Sequence, residues 1–506
     1  MYYSSSRLKS ANHSPRTLLS LLQRIRAKLR PLAVPALVIG TLILAVASGL
    51  GAIKLQRRFA KLALASIVFL ITAFAGYEYV ILVVIAISTN FVAIDSLPYL
   101  FGFSTLDLSV IFLLGLVVVN GLSDGRGQGF VRTALDWPVL LFFGAVVLSL
   151  FNAKYYLGTV QEFRNGIART LMGYLLYFVF TNLIRTRQQL MRLVAGLFVI
   201  ATVIASFMVA QQVVGPSVSL IPSEARVYNV TALGQELVGV ARVSPPGSII
   251  VYVMLFPAFI LHVTPDYLKS RKWLSLIPVV LFSVATLFTF DRNMWVGAII
   301  ASAAFVLLSR LESSRFVLLV LVLVVAAIVA VFLVGVYFPR IHSVVDAVFL
   351  RFDSLFAGDE LVYDSSTQYR LDENKAAMPV IEEHPILGIG PMAKYREPWY
   401  SEDTGARYIH NAYLYILVDL GFAGLIPFIW FSLAHLIRGV TSWSHVQDPI
   451  LKGLIISLSL SYIAVLVSNT VAPYSMMQYG VSITAGMLGL NAVAMRLASQ
   501  TESPQG

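Results

Sequence analysis

Three side chains carry the chemistry that this chain offers: His410, Arg370 and Arg292. Histidine takes up and gives off a proton near neutral pH, so His410 is a candidate general base that would take the proton from a hydroxyl group as its oxygen attacks. Arginine presents a planar fork of donors that grips phosphate oxygens in pairs, so Arg292 is a candidate phosphate-binding cation. The case for Arg370 rests on the sequence around it.

Each of these residues also has a purely structural interpretation. His410 precedes an apolar stretch and either acts as a base or anchors a helix end, while Asn411 either contacts a substrate, orients the imidazole or caps the helix. Arg292 could face a cavity as a phosphate-binding cation. In the structural interpretation it pairs with Asp291 or extends its stem towards lipid headgroups. Arg370 is either a ligand or a solvated surface charge.

Further cations occur close to apolar segments. Arg164, Arg169 and Arg242 are predicted, together with Asn411, to bind substrate, and Arg169 has the strongest case because it lies inside an apolar stretch. The chain has no DxD pair and no HExxH sequence, so we predict neither a metal site nor a soluble cofactor. Arginines would neutralise a phosphate group instead.

The composition indicates what kind of element positions these groups. Of the 506 residues, 58% are hydrophobic and only 12% are charged, whereas a soluble domain carries about 25% charged residues. The prediction is an all-α, polytopic membrane bundle. The lack of cysteine excludes disulfides and thiolate chemistry. The net charge of +11 indicates basic loops that face anionic lipid rather than a nucleic-acid partner.

Apolar runs of the length that crosses a bilayer predict about twelve to fourteen spanning helices. They lie at 32–53, 60–75, 76–93, 106–120, 137–152, 164–183, 190–212, 247–264, 273–291, 293–309, 316–338, 410–437, 451–471 and 476–497. A basic disordered tail (1–31) precedes the bundle (32–338 and 410–497), and a second disordered tail (498–506) follows it. The basic residues from Lys54 to Lys61 leave two alternatives: 32–53 is a hairpin, or 60–93 crosses once.

Basic residues in short loops predict the orientation of the spans. With the clusters at 185–192, 269–272 and 310–315 inside, the segments 213–246 and 339–409 and the turn at 291–292 fall outside. The segment 339–409 has about 70 residues and is too long for an ordinary connection, which indicates a functional role. We expect it to form short helices across the outer mouth of the bundle.

One stretch resembles a known family. YRLDENKAAMPVIEEHPILGIGPM is followed by IHNAYLYILVDLGFAGLIPFIWF. An arginine-led segment, an apolar turn with two glycines, a charged loop and then HN before a helix with two further glycines is similar to the O-antigen ligase/polymerase superfamily. The resemblance covers about a hundred residues, and the earlier TFDRNMW also fits it. Family members more often have serine at the position of Asp291.

The resemblance implies a GT-C-type glycosyltransferase with its active site on the extracytoplasmic face of the bacterial inner membrane. Such enzymes move a glycan from a polyprenyl diphosphate, such as undecaprenyl diphosphate, to an acceptor hydroxyl, and one displacement without a metal would invert the sugar. Mapped by motif, Arg292 and Arg370 would bind the diphosphate and His410 would be the base. The implied partners are the lipid-linked donor, a glycan or lipid-core acceptor and membrane lipids.

Two alternatives stay open on the sequence alone. A ligase, which completes lipopolysaccharide, and a polymerase, which extends a polysaccharide, share the motif. A transporter of lipid-linked glycans or other anionic lipids would need the same cations but would tolerate the loss of His410 better.

Overall fold

The structure is a computed structural model of the chain. It describes most of the chain from Gly76 onwards, in the ranges 76–89, 91, 105–123, 129–156, 173–215, 218, 220–221, 226–232, 235–264, 267–268, 271–308, 339–353, 365–399 and 404–502. The first predicted tail and the spans predicted at 32–53, 60–75 and 316–338 lie outside these residues. The two alternatives for the crossings within 32–93 stay open, because only 76–89 and 91 of that region are described.

Helices dominate the described residues. In chain order they are α1 (Tyr77–Ser88), α2 (Thr105–Ser123), α3 (Asp136–Tyr156), α4 (Gly173–Leu183), α5 (Arg187–Val214), α6 (Ser248–Val263), α7 (Lys272–Phe288), α8 (Arg292–Leu308), α9 (Pro339–Asp353), α10 (Ser365–Glu383), α11 (Ala412–Trp443), α12 (Pro449–Ser468) and α13 (Gln478–Glu502). A short 3₁₀ turn, Thr404–Arg407, precedes α11. The all-α prediction for the bundle is confirmed.

The length of the apolar helices and their exposed apolar side chains indicate that the bundle lies in a membrane. By length and composition, α5, α11, α12 and α13 are each sufficient to cross a bilayer, and seven shorter apolar helices accompany them in the described ranges. Many large apolar side chains point outwards from these helices, such as Leu122, Trp137 and Leu307. Apolar side chains exposed on helices long enough to span a bilayer are expected to face lipid, so the protein is a multi-pass membrane protein.

One end of the bundle carries the basic residues of the short loops. Arg187 Nε lies 2.9 Å from Asp448 Oδ2, which joins the starts of α5 and α12. Arg192 Nη1 lies 3.3 Å from Glu78 Oε1 and joins α5 to α1. The helix ends on this side of the bundle also carry the cations Arg185, Arg271, Lys272, Arg438, Lys452 and Arg496. They include the described members of the clusters at 185–192 and 269–272, which the sequence places inside, and we call this the basic end.

The opposite end collects the segments that the sequence places outside. Asn152, near the end of α3, donates from Nδ2 to the carbonyl of Gly388 at 3.0 Å. Arg351 of α9 donates to the carbonyl of Phe290, in the turn between α7 and α8, at 3.5 Å. The helices α9 and α10 and the 3₁₀ turn lie at this end, as expected for the segment 339–409.

Two details differ from the sequence prediction. The segment 213–246 contains an antiparallel hairpin, β1 (Arg226–Ala232) paired with β2 (Gln235–Ser244), with a register shift after Asn229. At the other extreme, α13 stays helical to Glu502. The predicted disordered tail 498–506 is therefore wrong for its first five residues, which extend an apolar helix past the point where the hydrophobic run ends.

Helix α11 is broken at Gly421, where the loop that follows α10 packs into the gap between its two parts. Gly421 has φ 62° and ψ −162°, so the helix is interrupted about 13 Å from its start. The inserted loop (residues 384–393) pairs with the broken ends: Phe422 N donates to Pro385 O at 2.8 Å and Ile389 N donates to Val418 O at 2.8 Å. Two further bonds of the same kind complete the seam. Irregular backbone at membrane depth is stable only when its polar groups are paired in this way.

Glycine is required on both sides of this seam. Gly388 has φ +61°, and a Cβ there would lie 2.4 Å from Val418 O. Gly421 has φ +62°, and its Cβ would lie 2.4 Å from Ile386 O. Residues with a side chain rarely adopt this backbone conformation. A side chain at either position would also push the loop away from α11. The two glycines therefore fix α10, through the loop that follows it, against the first turns of α11.

Candidate active site

A histidine and a carboxylate meet where α10 contacts the start of α11. His410 Nδ1 lies 2.7 Å from Glu373 Oε2, and the backbone amide of His410 donates to the same oxygen at 3.2 Å. The Glu373 side chain is 0% exposed, whereas that of His410 is 29% exposed. The imidazole is thus held by a buried carboxylate but stays accessible from outside.

This contact is compatible with a role for the ring as a base. In the neutral tautomer in which Nδ1 carries the proton, Nδ1 donates to the carboxylate. Nε2 then has the lone pair and is the atom that can accept a proton from a bound hydroxyl group. The backbone bond from His410 to the same carboxylate holds the start of the helix as well as the ring.

Arg370 belongs to the same helix as Glu373. The two residues are three positions apart in α10 and therefore lie on the same face. Arg370 is half-buried. Because Glu373 contacts His410, the helix brings Arg370 to the same end of the bundle and close to the start of α11.

Arg292 is the first residue of α8. The turn before it is tight, because α7 ends at Phe288 and Phe290 has φ 51° in the left-handed region. Phe290 is fully buried, which holds this turn in place. The prediction of two apolar helices with almost no loop between them is confirmed, and Arg292 stands at the end of the bundle that also carries His410.

The carboxylate beside Arg292 has partners that the sequence did not indicate. Asp291 accepts from the guanidinium of Arg242 and, at 3.2 Å, from Ser244 Oγ. Arg242 also donates from Nε to the carbonyl of Thr289 at 3.2 Å. Arg242 is predicted to bind substrate, but the structure uses it to join the hairpin to the α7–α8 turn. Asp291 thus neutralises Arg242.

Two adjacent residues at the end of α12 connect the starts of α8 and α11. Ser468 Oγ donates to the carbonyl of Asn293 at 3.1 Å, and the carbonyl of Asn469 accepts from Ala412 N at 2.8 Å. Asn293 follows Arg292, and Ala412 lies two residues after His410. The structure therefore brings the three residues predicted to be catalytic to one end of the bundle.

A buried tyrosine supports the same junction. Tyr474, in the turn between α12 and α13, accepts from Asn293 Nδ2 at 3.5 Å. Burial, followed by the nearby charge of Asp291, raises the pKa of the Tyr474 phenol well above its usual value. The hydroxyl group therefore stays protonated and serves as a neutral hydrogen-bonding group behind Arg292.

The remaining predicted residues have other outcomes. Asn411 caps α11, since its Oδ1 accepts from Tyr413 N at 2.9 Å and from Leu414 N at 3.2 Å. Its side-chain oxygen is thereby occupied, and a contact with substrate would have to come from its amide nitrogen. Arg164 and Arg169 lie outside the described residues. Within the described ranges, His, Asp and Glu side chains form no group of three or more that could hold a metal ion.

Sequence reasoning missed Glu373. In YRLDENK it stands among exposed charges and has the pattern of a solvated helix face. Its spacing of three from Arg370 was the available signal, but only the fold shows that it reaches His410. The sequence also gave no reason to select the aromatic residues that surround this histidine.

One comparison with known proteins found a family match. Residues 277–429 match a family described as O-antigen ligase. The matched segment runs from α7 into α11 and includes Arg292, Arg370, Glu373 and His410. The match confirms the resemblance seen in the sequence motif. No curated protein matches the chain.

Proposed function

We propose, taking the O-antigen ligase domain at residues 277–429 as the premise, that this protein transfers a glycan from a polyprenyl diphosphate to an acceptor hydroxyl group. The acceptor is a lipid-core sugar in a ligase or the growing glycan in a polymerase. The active site is the end of the bundle that carries His410, and it faces the outside of the bacterial inner membrane. The reaction is a single displacement that inverts the sugar without a metal.

The reaction divides between a base and two cations. Nε2 of His410 takes the proton of the acceptor hydroxyl as its oxygen attacks the anomeric carbon. The bond from that carbon to the diphosphate oxygen breaks, and negative charge grows on the diphosphate. Arg370 and Arg292 stabilise this charge, which is greatest in the transition state. The diphosphate needs no general acid because it is a stable anion once released.

The observation that carries this proposal is the bond between Glu373 and His410. The bond supports a role for His410 as a general base rather than as an anchor of the helix end. A histidine that only anchors a helix needs no buried carboxylate at Nδ1. The partial exposure of the imidazole beside a fully buried partner supports the same conclusion. It also favours an enzyme over a transporter, because binding alone does not require a proton acceptor.

The test is glycan transfer by the purified protein reconstituted in lipid vesicles. His410→Ala should lower the rate about 10²- to 10⁴-fold, because the general base is lost. Arg370→Ala should lower it about 10²- to 10³-fold, because one transition-state cation is lost. The matched controls are His445→Ala and Arg438→Ala, which replace exposed residues at the basic end and should keep full activity.

Full activity of His410→Ala would contradict the mechanism. The transporter alternative makes a separate prediction in the same vesicles. It expects lipid-linked glycan to change leaflet without transfer, and it expects His410→Ala to keep that movement. An assay that follows both leaflet and product therefore separates the two functions.

A further inference from the structure

Beside the candidate base lies a group of aromatic side chains that the proposed mechanism does not use. The rings of Tyr369 and Trp399 have centroids 5.0 Å apart and meet edge to face. Tyr369 in turn meets the imidazole of His410 edge to face at 6.0 Å, and Tyr408 meets it at 4.8 Å. A continuous row of rings therefore leads from His410 out to Trp399.

An arginine fixes the outer ring of this row. Arg396 places its guanidinium carbon 3.5 Å from the centroid of the Trp399 ring. Its Nη2 donates to Tyr369 Oη at 3.0 Å, and its Nε donates to Tyr395 Oη at 3.2 Å. A planar cation stacked on an indole and held by two hydroxyl groups keeps the indole plane in one orientation.

Trp399 is nevertheless open to the outside. Its side chain is 45% exposed although Arg396 covers one face. Trp430 of α11 is similarly exposed, at 49%, but it stands on an apolar face of a spanning helix. Trp399 instead follows the inserted loop, among polar residues and near the base. An ordered, exposed aromatic ring next to a catalytic group indicates a ligand contact.

We propose that Trp399 is the platform on which a neutral hexopyranose unit of the bound glycan stacks, with Arg396 and Tyr369 as its supports. This inference rests on the proposed function and specifies the substrate at that site. The C–H face of a pyranose is apolar and slightly positive, which suits the negative face of an aromatic ring. The hydroxyl groups at the sugar's rim stay available to polar neighbours. Contact with His410 through Tyr369 places the stacked sugar beside the reacting hydroxyl.

The test measures binding of the sugar without turnover. The probe is the free glycan released by mild acid from the lipid-linked pool of the cells that make the protein. Its dissociation constant for the reconstituted protein is measured by saturation-transfer NMR. The probe is used at up to about 10 mM, a concentration well above the dissociation constant of about 1 mM expected of a weak ligand. Trp399→Ala should weaken binding about tenfold, whereas Trp399→Phe, which keeps an aromatic face, should stay within about threefold of the wild type.

Two controls make the result specific. Trp430→Ala removes an equally exposed tryptophan from the lipid-facing surface and should leave the dissociation constant unchanged. His410→Ala should still bind the probe while failing to transfer glycan. Wild-type affinity in Trp399→Ala, or no binding to the wild type at the highest concentration, overturns the platform. Transfer activity in His410→Ala would instead overturn the proposed function and leave the platform to be judged on binding alone.

Discussion

At the scale of single residues, the site depends on how one carboxylate is buried. Glu373 Oε2 receives both the ring and the backbone amide of His410. Its Oε1 is buried with no hydrogen-bond partner among the described residues. A buried oxygen without a donor costs stability. A carboxylate buried at such a cost is expected to serve function, and here we expect it to orient the base.

Glu373→Gln tests this role. The amide keeps the size of the side chain but removes the charge that stabilises a protonated imidazole, so kcat should fall roughly 10- to 100-fold while KM changes little. Thermal stability should stay equal or rise, because a buried charge is removed. Steady-state kinetics and thermal unfolding of the purified protein measure both.

The control is Glu383→Gln on the same helix, where the side chain is 76% exposed. It should leave kcat unchanged. A Glu373→Gln enzyme with normal kcat would show that His410 needs no carboxylate. A rise in KM alone would assign Glu373 to substrate binding instead.

At the scale of elements, the seam between the inserted loop and the broken α11 positions the site. The loop follows α10 directly, so the four backbone bonds of the seam locate Glu373 relative to His410. The seam needs two backbones in close contact, and Gly388 and Gly421 permit that contact. The glycines of the family motif therefore have a structural reason that is separate from catalysis.

Gly388→Ala should disrupt the seam. The new methyl group would meet Val418 O and force a left-handed backbone on alanine, so the free energy of unfolding should fall by about 1–3 kcal/mol. Transfer activity should fall with it, because α10 would shift. Gly144→Ala is the matched control, since a Cβ there meets nothing within 4 Å. Equal stability of the two variants in thermal unfolding would argue against a tight seam.

The seam also marks the limit of what the sequence could predict. Hydrophobic runs predicted the described spanning helices, and basic residues in short loops predicted which of their ends lie together. The break at Gly421 has no such signal, because glycine is common in membrane helices. Asp291 likewise has two arginines within reach, one adjacent in sequence and one 49 residues away. Only the packing of the hairpin brings Arg242 to Asp291.

The link between α5 and α12 at the basic end gives a pH dependence. Burial alone would raise the pKa of Asp448, but Arg187 and the amides of Leu451 and Ile450 outweigh it and hold the pKa below its usual 3.8. A carboxyl group whose pKa is lowered by folding stabilises the fold above the usual value, and that contribution is lost as the pH falls through the lowered one.

Asp448→Asn should therefore flatten the acid dependence of thermal stability. Asparagine caps a helix as well as aspartate does, so the cap of α12 survives and only the ion pair is lost. The unfolding midpoint of the wild type should approach that of the variant as the pH drops below 3.8. A gap between them that stays constant down to low pH would exclude this ion pair as the cause.

At the scale of the whole molecule, the two ends of the bundle differ in charge and in role. The basic end holds the cations of the short loops, and the opposite end holds the hairpin, α9, α10 and the candidate site. Positive residues in short loops stay in the cytoplasm. The architecture thus predicts that a carrier-linked glycan is handled only on the outer side of the membrane.

Cysteine labelling tests this orientation, because the chain contains no cysteine. Lys394→Cys places an exposed thiol at the end of the candidate site, and His445→Cys places one at the basic end. A membrane-impermeant maleimide should label the first in intact spheroplasts and the second only after permeabilisation. The reverse pattern would place the site in the cytoplasm.

The paired contacts of Ser468 and Asn469 have a mechanical consequence. Two adjacent residues of α12 bond to the starts of α8 and α11, so a tilt of α12 should move both helix starts together and preserve the distance between them. Thermal motion in the surrounding lipid would then move Arg292, at the start of α8, and His410, just before α11, as a unit. Adaptation to acceptors of different size is then expected from elements that these two contacts do not hold, such as α9 and the hairpin.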